Sequence, residues 1–242
     1  MAARRIALPR DPGTWRNFLV QALLNSVVPF TLIAWGQQVV EAGLATILNS
    51  TAPIFTFLLT WGITRHEPAS ARKLVGVIAG LAGVTLIVGV QALGGAGQEL
   101  WSQLAIVAAT VCYAGAAIFG RTFSGLSPIV PAAGSMLCGA AILIPLSLLI
   151  DRPWTLSPST SSLAALAGLS VFSTALAFLV YFRLLNTLGS VGTTAQAYLR
   201  VPIGVAIGMV FLGESLSPTA WAGLVCVVLG VAAMTMPPRK RA

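Results

Sequence analysis

The chain has 242 residues, of which 57% are hydrophobic and only 8% are charged, and its mean hydropathy is +0.90. Soluble domains carry about 25% charged residues, so this composition excludes a soluble globular protein and indicates an integral membrane protein. The net charge is +8, but the basic residues form no cluster interleaved with stacking aromatic residues. No nucleic-acid partner is therefore expected.

Eight apolar runs are each long enough to cross a bilayer as a helix, because a hydrocarbon core about 30 Å thick requires about 20 residues. The runs are continuous and do not alternate, which favours α-helices over the strands of a membrane barrel. The sequence therefore predicts an all-α, polytopic transmembrane helical bundle surrounded by lipid. The predicted spans are residues 17–35, 43–64, 74–91, 104–120, 129–150, 163–185, 192–212 and 218–236.

The basic residues indicate how the predicted helices are oriented. All but two of the 14 Lys and Arg residues fall on one side of the membrane, the exceptions being Arg152 and Arg200. The positive-inside rule therefore places both termini in the cytoplasm, which an even number of spans also requires. We expect a multi-pass protein of the inner (plasma) membrane.

Two segments of the chain are similar to each other, one starting at Glu41 and the other at Ser190. Each contains a helix with a central proline, a turn with a glutamate, and a closing helix with glycines. In the predicted topology the Glu67 turn is cytoplasmic and the Glu214 turn is external, so the copies are inverted, as in many transporters. For both glutamates, capping of a helix end is favoured over proton coupling. The matched pairs are Gly43 and Gly192, Pro53 and Pro202, Glu67 and Glu214, Gly76 and Gly223, and Gly83 and Gly230.

Three stretches, PFTLIAWG, LNSTAPIFTFLL and LGESLSPTAWAGLVCVVLGV, resemble the EamA family of the drug/metabolite transporter superfamily. The resemblance implies ten helices in two inverted five-helix repeats. It also implies export of small metabolites, such as amino acids or related amphiphilic solutes, by alternating access. Residues 1–97 would then form an incomplete first repeat of three helices, and residues 102–237 a second repeat of five. A natural start upstream, or a fragment, is favoured over a partner chain that supplies two helices.

Arg200 is the one basic residue predicted deep within a span, about 12 Å from its inner end at 1.5 Å per residue, whereas Arg183 lies at the end of its span. A charged side chain at that depth costs at least about 2.5 kcal/mol, so contact with lipid is disfavoured. The favoured interpretation is that it lines an aqueous path and attracts a carboxylate or phosphate. The alternative is that it bonds carbonyls freed by Pro202 or reaches the membrane surface. Gln196 and Thr193 share its helical face and join it as candidates for the solute path.

Other spans contribute further polar candidates. Asn49 matches Tyr198 through the internal repeat and precedes Pro53 by four residues, where its amide can replace backbone bonds lost at proline. For Asn49 and Tyr198, solute contact and helix packing are equally supported. For Tyr113, a hydrogen bond across helices is favoured over lining the path. Asn25 is a weaker path candidate on the first span.

Small residues recur at four-residue spacing in the helices of both copies, which lets neighbouring helices approach closely. Such contacts suit interfaces that slide as two halves of a carrier move. The residues assigned to hinge and packing roles are Pro53, Pro202, Gly76, Gly80, Gly204 and Gly208.

Other classes of function fit the sequence less well. A membrane enzyme needs a nucleophile with its base, a metal cluster or paired carboxylates, and the predicted spans contain no Asp, Glu, His or Lys. We therefore expect no catalytic site, metal or cofactor. No filter-like loop or ring of charge suggests a channel. The serious alternative is an inactive or accessory membrane fragment that lacks two helices of a ten-helix carrier; a homodimer stays open.

Overall fold

The computed structural model describes residues 8–64, 71–93, 97–150, 152–194 and 197–235. Within these ranges the chain forms eight helices and no strand, which confirms the predicted all-α membrane bundle. The helices are α1 (Pro12–Gly36), α2 (42–64), α3 (Ala71–Leu93), α4 (Gly97–Phe119), α5 (Ile129–Ile150), α6 (160–194), α7 (Ala197–Phe211) and α8 (Pro218–Thr235).

Each predicted span corresponds to one helix. Among the described residues, five helical segments are long and apolar enough to cross a membrane, with mean hydropathies of 1.5 to 2.2. One boundary is wrong: α6 continues to Thr194, although the sequence analysis placed a gap between residues 185 and 192. The stretch NTLGSVGTT has no proline, and glycine alone weakens a helix without ending it. The five segments are Pro12–Gly36, Ala42–Gly62, Glu99–Phe123, Ile129–Ile150 and Thr160–Leu188.

The N-terminal end of α1 is capped by Asp11. Its carboxylate accepts hydrogen bonds from the backbone N–H of Thr14 at 2.8 Å and from the hydroxyl of the same residue at 3.0 Å. Both bonds lower the pKa of Asp11 because they stabilise its charged form, and the backbone bond has the larger effect. Next to this cap, the rings of Trp15, Phe18 and Phe123 pack with centroids 5.6 and 5.5 Å apart. The aromatic cluster anchors α1 to the end of α4.

Proline changes the course of α1. In a regular α-helix Pro29 would donate no hydrogen bond, and its ring would collide with the carbonyl of Asn25. The helix widens instead into a π turn over Leu23–Val27, in which the N–H of Val28 donates to the carbonyl of Leu23. Asn25 lies within this turn and is 6% exposed. Single π turns of this kind frequently mark functional positions in helices.

Helix α2 is interrupted just before Pro53. The helix stops after Asn49 and resumes before Pro53, with the buried residues Ser50 and Thr51 in a tight turn. The hydroxyls of these two residues donate to carbonyls one turn earlier, at 2.5 and 2.7 Å. The interruption gives α2 a bending point part-way along its length. The segments of α2 are Ala42–Asn49, Ala52–Leu59 and a π turn at Thr60–Thr64.

Helix α4 lies at the centre of the bundle and packs against α1, α2, α3 and α6. It runs antiparallel to α1, since Gly36 lies against Ser102 and Ile106 near one end, and Leu24 lies against Gly115 near the other. A Cβ at Gly36 would come within 2.7 Å of the Ser102 carbonyl oxygen. Close backbone approach therefore fixes the register of α1 on α4.

Helices α3 and α8 form the most extensive pair in the bundle. A Cβ at Gly83 would lie 2.7 Å from the carbonyl oxygen of Gly223, and one at Gly230 would lie 2.5 Å from that of Gly76. The contacts are reciprocal, because Gly83 matches Gly230 and Gly76 matches Gly223 in the repeat. Reciprocal contacts are the pattern that a two-fold axis produces between equivalent elements.

Candidate functional site

Glu214 links the two similar segments at one end of the bundle. One carboxylate oxygen accepts a hydrogen bond from the backbone N–H of Ala42 and the other accepts one from Gly43, both at 2.7 Å. These are the first two amides of α2, so the carboxylate also lies at the positive end of the helix dipole. We call this contact the Glu214 cap. The capping role favoured for Glu214 is thus present, whereas Glu67 lies outside the described residues.

The turn after α7 directs the carboxylate toward α2. Gly213 has φ +68°, a left-handed conformation that glycine adopts at helix ends without strain. The backbone N–H of Glu214 then donates to the carbonyl of Gly208 at 3.1 Å. Glycine is also needed at positions 43 and 208, because a Cβ at either would collide with the Glu214 carboxylate. Sequence analysis assigned Gly208 to helix packing and missed this contact.

Helices α2 and α7, which carry Pro53 and Pro202, contact each other at the same end. A Cβ at Gly204 would lie 2.5 Å from the Thr46 methyl carbon, so the backbones approach closely there. Val205 joins Leu44 in the adjoining hydrophobic core. The packing of α7 falls on Ala42–Asn49, the first half of α2. The two helices are therefore joined at the Glu214 end.

A cavity of about 270 Å³ lies beside the Glu214 cap. Two carboxylates, those of Glu41 and Glu99, line it, and Glu99 accepts a hydrogen bond of 3.3 Å from the side chain of Gln103. Residues from both similar segments contribute to its wall. The rest of the lining is Val39, Val40, Leu44, Ser215, Leu216, Ser217 and Ala220.

A larger cavity of about 540 Å³ lies at the opposite end, between the end of α4 and α6. We call it the Arg121 cavity. Arg121, Thr122, Ser124 and Asn186 contribute polar side chains, and Leu185 contributes an apolar one. Arginine, hydroxyl and amide groups supply several hydrogen-bond donors, and no carboxylate is found among the described residues that line this cavity. The lining therefore favours an anionic group.

Two polar side chains are buried next to the Arg121 cavity. Gln21 on α1 is 0% exposed, and neither atom of its amide has a hydrogen-bond partner among the described residues. The Tyr181 hydroxyl on α6 is also buried without a hydrogen-bond partner among the described residues, and it lies close enough to this amide for the two groups to interact. Sequence analysis missed both residues. A glutamine in an otherwise apolar first span was the available signal for Gln21.

Polar groups also lie along the middle of α4. The hydroxyl oxygens of Thr51 and Thr110 are 3.3 Å apart, and both residues are 0% exposed. Nearer the Glu214 end, Ser102 is 1% exposed and its hydroxyl has no hydrogen-bond partner within the described part of the chain. Buried polar groups of α4 therefore lie near the Glu214 end and in the middle of the helix.

Three of the predicted path residues lie on helices that meet around α4. Asn25 occupies the π turn of α1, Asn49 ends the first half of α2, and Tyr113 is half-buried on α4 itself. The contact of Leu24 with Gly115 places the π turn beside this part of α4, and the Thr51 hydroxyl places the interruption of α2 there too. The structure therefore brings these three helices together. That Asn25, Asn49 and Tyr113 line a solute path stays a prediction.

The remaining predicted path residues belong to the end of α6 and to α7. Thr193 is 0% exposed near the end of α6. Tyr198 and Arg200 are in helical backbone within α7, but their side chains are outside the described part of the structure. Gln196 is wholly outside it. A path lined by Arg200 stays a prediction.

Comparison with known proteins identifies the family. The model of the EamA-like transporter family matches residues 1–89 and 100–236. The chain belongs to the EamA-like transporter family. The protein is therefore a multi-pass membrane transporter, as the resemblance in the sequence indicated.

Individual relatives agree with this assignment. Uncharacterized inner membrane transporter YedA of Escherichia coli K12 is 27% identical over 220 residues, which cover 90% of this chain and 70% of that protein. A protein of Streptantibioticus cattleyicolor named "Probable terminal-alkyne amino-acid exporter" is 26% identical over 205 residues, covering 83% and 66%. One crystal structure that is 18% identical has a TM-score of 0.67 and covers 99% of this chain and 82% of that chain, so it shares the fold.

Proposed function

We propose that this EamA-like transporter exports small metabolites, with amino acids or related amphiphilic solutes as the substrate class, by alternating access across the inner membrane. The observation that carries the proposal is the joining of α2 and α7 at the Glu214 end by a helix cap and glycine contacts. The relative named as an amino-acid exporter supports the direction and the solute class.

The two proline-containing helices supply the moving parts in this proposal. Each comes from one of two inverted copies, predicted to divide the chain into residues 1–97 and 102–237. Inverted copies exchange conformations when a carrier changes the side on which it is accessible. The interruption of α2 before Pro53 lets its two halves move separately, and Pro202 supplies the equivalent hinge in α7.

In this proposal the conformation is closed at the Glu214 end, which has the smaller of the two described cavities, and accessible at the Arg121 end. The Glu214 cap and the contact of Gly204 with Thr46 close the first, while the cavity of about 540 Å³ opens the second. The positive-inside rule assigns the Arg121 end to the cytoplasm. The conformation is then the one that accepts a solute from inside the cell.

The central solute site in this proposal combines Arg200, Gln196, Tyr198 and Thr193 of the second copy with Asn49 of the first. Asn25 and Tyr113 complete the path. A guanidinium near the bilayer centre attracts an anionic group of the solute. The predicted spans contain no carboxylate, histidine or lysine that would carry a proton. Facilitated flux or counter-exchange therefore fits better than proton coupling.

A reversible cross-link between α2 and α7 tests the proposal. A Cβ at Gly204 lies 3.1 Å from the Cβ of Thr46, close to the separation of about 3.5–4.5 Å that a disulfide requires. Thr46→Cys and Gly204→Cys would be combined in a background in which Cys112, Cys138 and Cys226 are replaced by alanine. Efflux of a metabolite panel from loaded cells would first identify a substrate.

Oxidation should stop efflux in the double variant, and reduction should restore it, because the external end can no longer open. The two single-cysteine variants, oxidised in parallel, should keep their activity. Unchanged efflux in the cross-linked protein would contradict movement between α2 and α7. Absence of efflux for every metabolite in well-expressed, unmodified protein would instead support the accessory or inactive fragment.

A further inference from the structure

We infer that the Arg121 cavity is the entry site for a small solute that carries a carboxylate, and that Leu185 separates this cavity from a deeper polar site formed by Gln21 and Tyr181. The inference rests on the proposed function, because it names the solute chemistry and the first binding step of the same transport path. It concerns residues outside the predicted set centred on Arg200.

The lining of the cavity determines the sign of the charge that it accepts. Arg121 is exposed at the cavity and carries a permanent positive charge, and Asn186 adds amide donors. Thr122 and Ser124 add hydroxyl groups, which also donate hydrogen bonds to an anion. A volume of about 540 Å³ is within the usual range for small-molecule sites. The lining fits an anionic group, and a carboxylate is the one carried by the amino-acid class of solute in the proposed function.

Leu185 stands between the cavity and the buried amide. It lines the cavity although it is only 3% exposed. A Cβ at Gly120 would lie 2.5 Å from a methyl carbon of Leu185 and 3.5 Å from the side-chain nitrogen of Gln21. One leucine side chain is therefore next to both the cavity and the amide. In this inference Leu185 is the barrier between them.

The buried amide itself indicates a ligand. Gln21 is 0% exposed, and its donor and its acceptor have no hydrogen-bond partner in the described ranges. A buried polar group without a partner destabilises a fold, so its presence calls for an explanation. A solute with an amine or hydroxyl beside its carboxylate would supply the missing hydrogen bonds.

Tyr181 is positioned for the same solute. Its ring centroid lies 5.1 Å from that of Phe182 and 6.5 Å from that of Phe178, so neighbouring aromatic rings hold it in place. Tyr181 and Leu185 are four residues apart on α6 and share one helical face. This face leads from the cavity, past Leu185, to the hydroxyl.

Cysteine labelling tests the charge preference without a known substrate. Asn186→Cys, in the cysteine-free background, would be labelled with a sulfonate thiosulfonate reagent and with its trimethylammonium counterpart. The ratio of the anionic to the cationic labelling rate would be divided by the same ratio measured for Ser161→Cys, an exposed position at the other end of α6. We expect the anionic reagent to be favoured about tenfold, because a nearby charge steers small ions. Arg121→Gln should abolish the preference; an equal ratio with and without Arg121 overturns the inference.

The role of Leu185 is tested at the buried position. The anionic reagent should not label Gln21→Cys while Leu185 is present. It should label this cysteine when Leu185→Ala is added. Equal labelling with both residues at position 185 would show that Leu185 is no barrier.

The lipid source of an anion is tested in nanodiscs: protection of Asn186→Cys by phosphatidylglycerol, but not by phosphatidylcholine, would assign the cavity to a lipid headgroup and overturn the solute site.

Gln21→Leu distinguishes a binding role from a structural one. Removal of an unpartnered amide should leave the Tm unchanged or raise it, while efflux of a carboxylate substrate falls at least about tenfold. Lower Tm would show that the amide stabilises the fold and would contradict the inference. The labelling measures reagents and not transport, so it stands or falls separately from the cross-linking test of the proposed function.

Discussion

The carboxylate of Glu214 caps α2 through the backbone N–H of Gly43, although the two residues are 171 positions apart in sequence. A helix is usually capped by a residue next to it in the chain. Here the cap comes from the other of the two similar segments, so α2 gains these N-terminal hydrogen bonds only while the two segments are joined. Stability of the first turn of α2 and closure of this end of the bundle are therefore coupled.

Glu214→Gln should destabilise the protein. The amide keeps one acceptor oxygen but loses the charge that favours the helix N-terminus, and its NH₂ group faces an amide donor. We expect the free energy of unfolding to fall by about 1–2 kcal/mol, in the range measured for capping residues and charged hydrogen bonds. Thermal unfolding in a mild detergent would measure it.

Glu41→Gln is the matched control, because Glu41 is an exposed carboxylate at the same end and its side chain makes no capping hydrogen bond. Its Tm should stay within experimental error of the unmodified protein. Equal losses in both variants would show that general charge at this end matters and that the Glu214 cap does not.

Gly230→Ala should separate α3 from α8. The new methyl carbon would lie 2.5 Å from the Gly76 carbonyl oxygen and 2.7 Å from the Gly80 backbone nitrogen, and the backbone has no flexible side chain to move aside. We expect a loss of stability of about 1–3 kcal/mol, the usual cost of overpacking. Gly168→Ala on α6 has open space around the added carbon and should be neutral or stabilising by up to about 1 kcal/mol. Similar Tm values for the two variants would contradict the close contact.

Apolar run length was sufficient to predict the helices, and repeat matching identified equivalent glycines, but the pairing of α3 with α8 was not predicted. The matches of Gly76 with Gly223 and of Gly83 with Gly230 came from sequence, and the structure places Gly83 against Gly223 and Gly230 against Gly76. This agreement follows from physics: only small residues let helix backbones approach, so glycine positions report the interface directly.

The partner of each polar residue was less predictable. Gln21 and Tyr181 are on helices far apart in sequence, and nothing in either helix alone indicates that their side chains face each other. The start of α7 was placed too early, at Gly192, whereas α6 continues to Thr194. Contacts between helices that are far apart in sequence decide both the facing of the side chains and the helix boundary. Neither can be predicted from the neighbouring residues alone.

Thr51→Val and Thr110→Val should each have a small effect, although both threonines are fully buried. Each hydroxyl already donates to a carbonyl of its own helix, at 2.7 Å in both cases, so the 3.3 Å contact between them is secondary. A double-mutant cycle should give a coupling energy of about 0.6 kcal/mol, the average found between membrane helices. A coupling above about 2 kcal/mol would instead make this pair a principal link between α2 and α4.

Arg200→Gln should reduce efflux of a carboxylate substrate at least about tenfold and leave the Tm unchanged, since an anion at the bilayer centre loses its counter-charge. Arg200→Lys keeps the charge and should retain part of the activity, because an ammonium lacks the two-point contact of a guanidinium. Arg152→Gln is the control for loss of one positive charge, as Arg152 is exposed at the end of α5. Proteoliposome flux with a neutral substrate should be unaffected in all three variants. Full carboxylate flux in Arg200→Gln would remove this arginine from the solute path and leave Arg121 as the anion-attracting group.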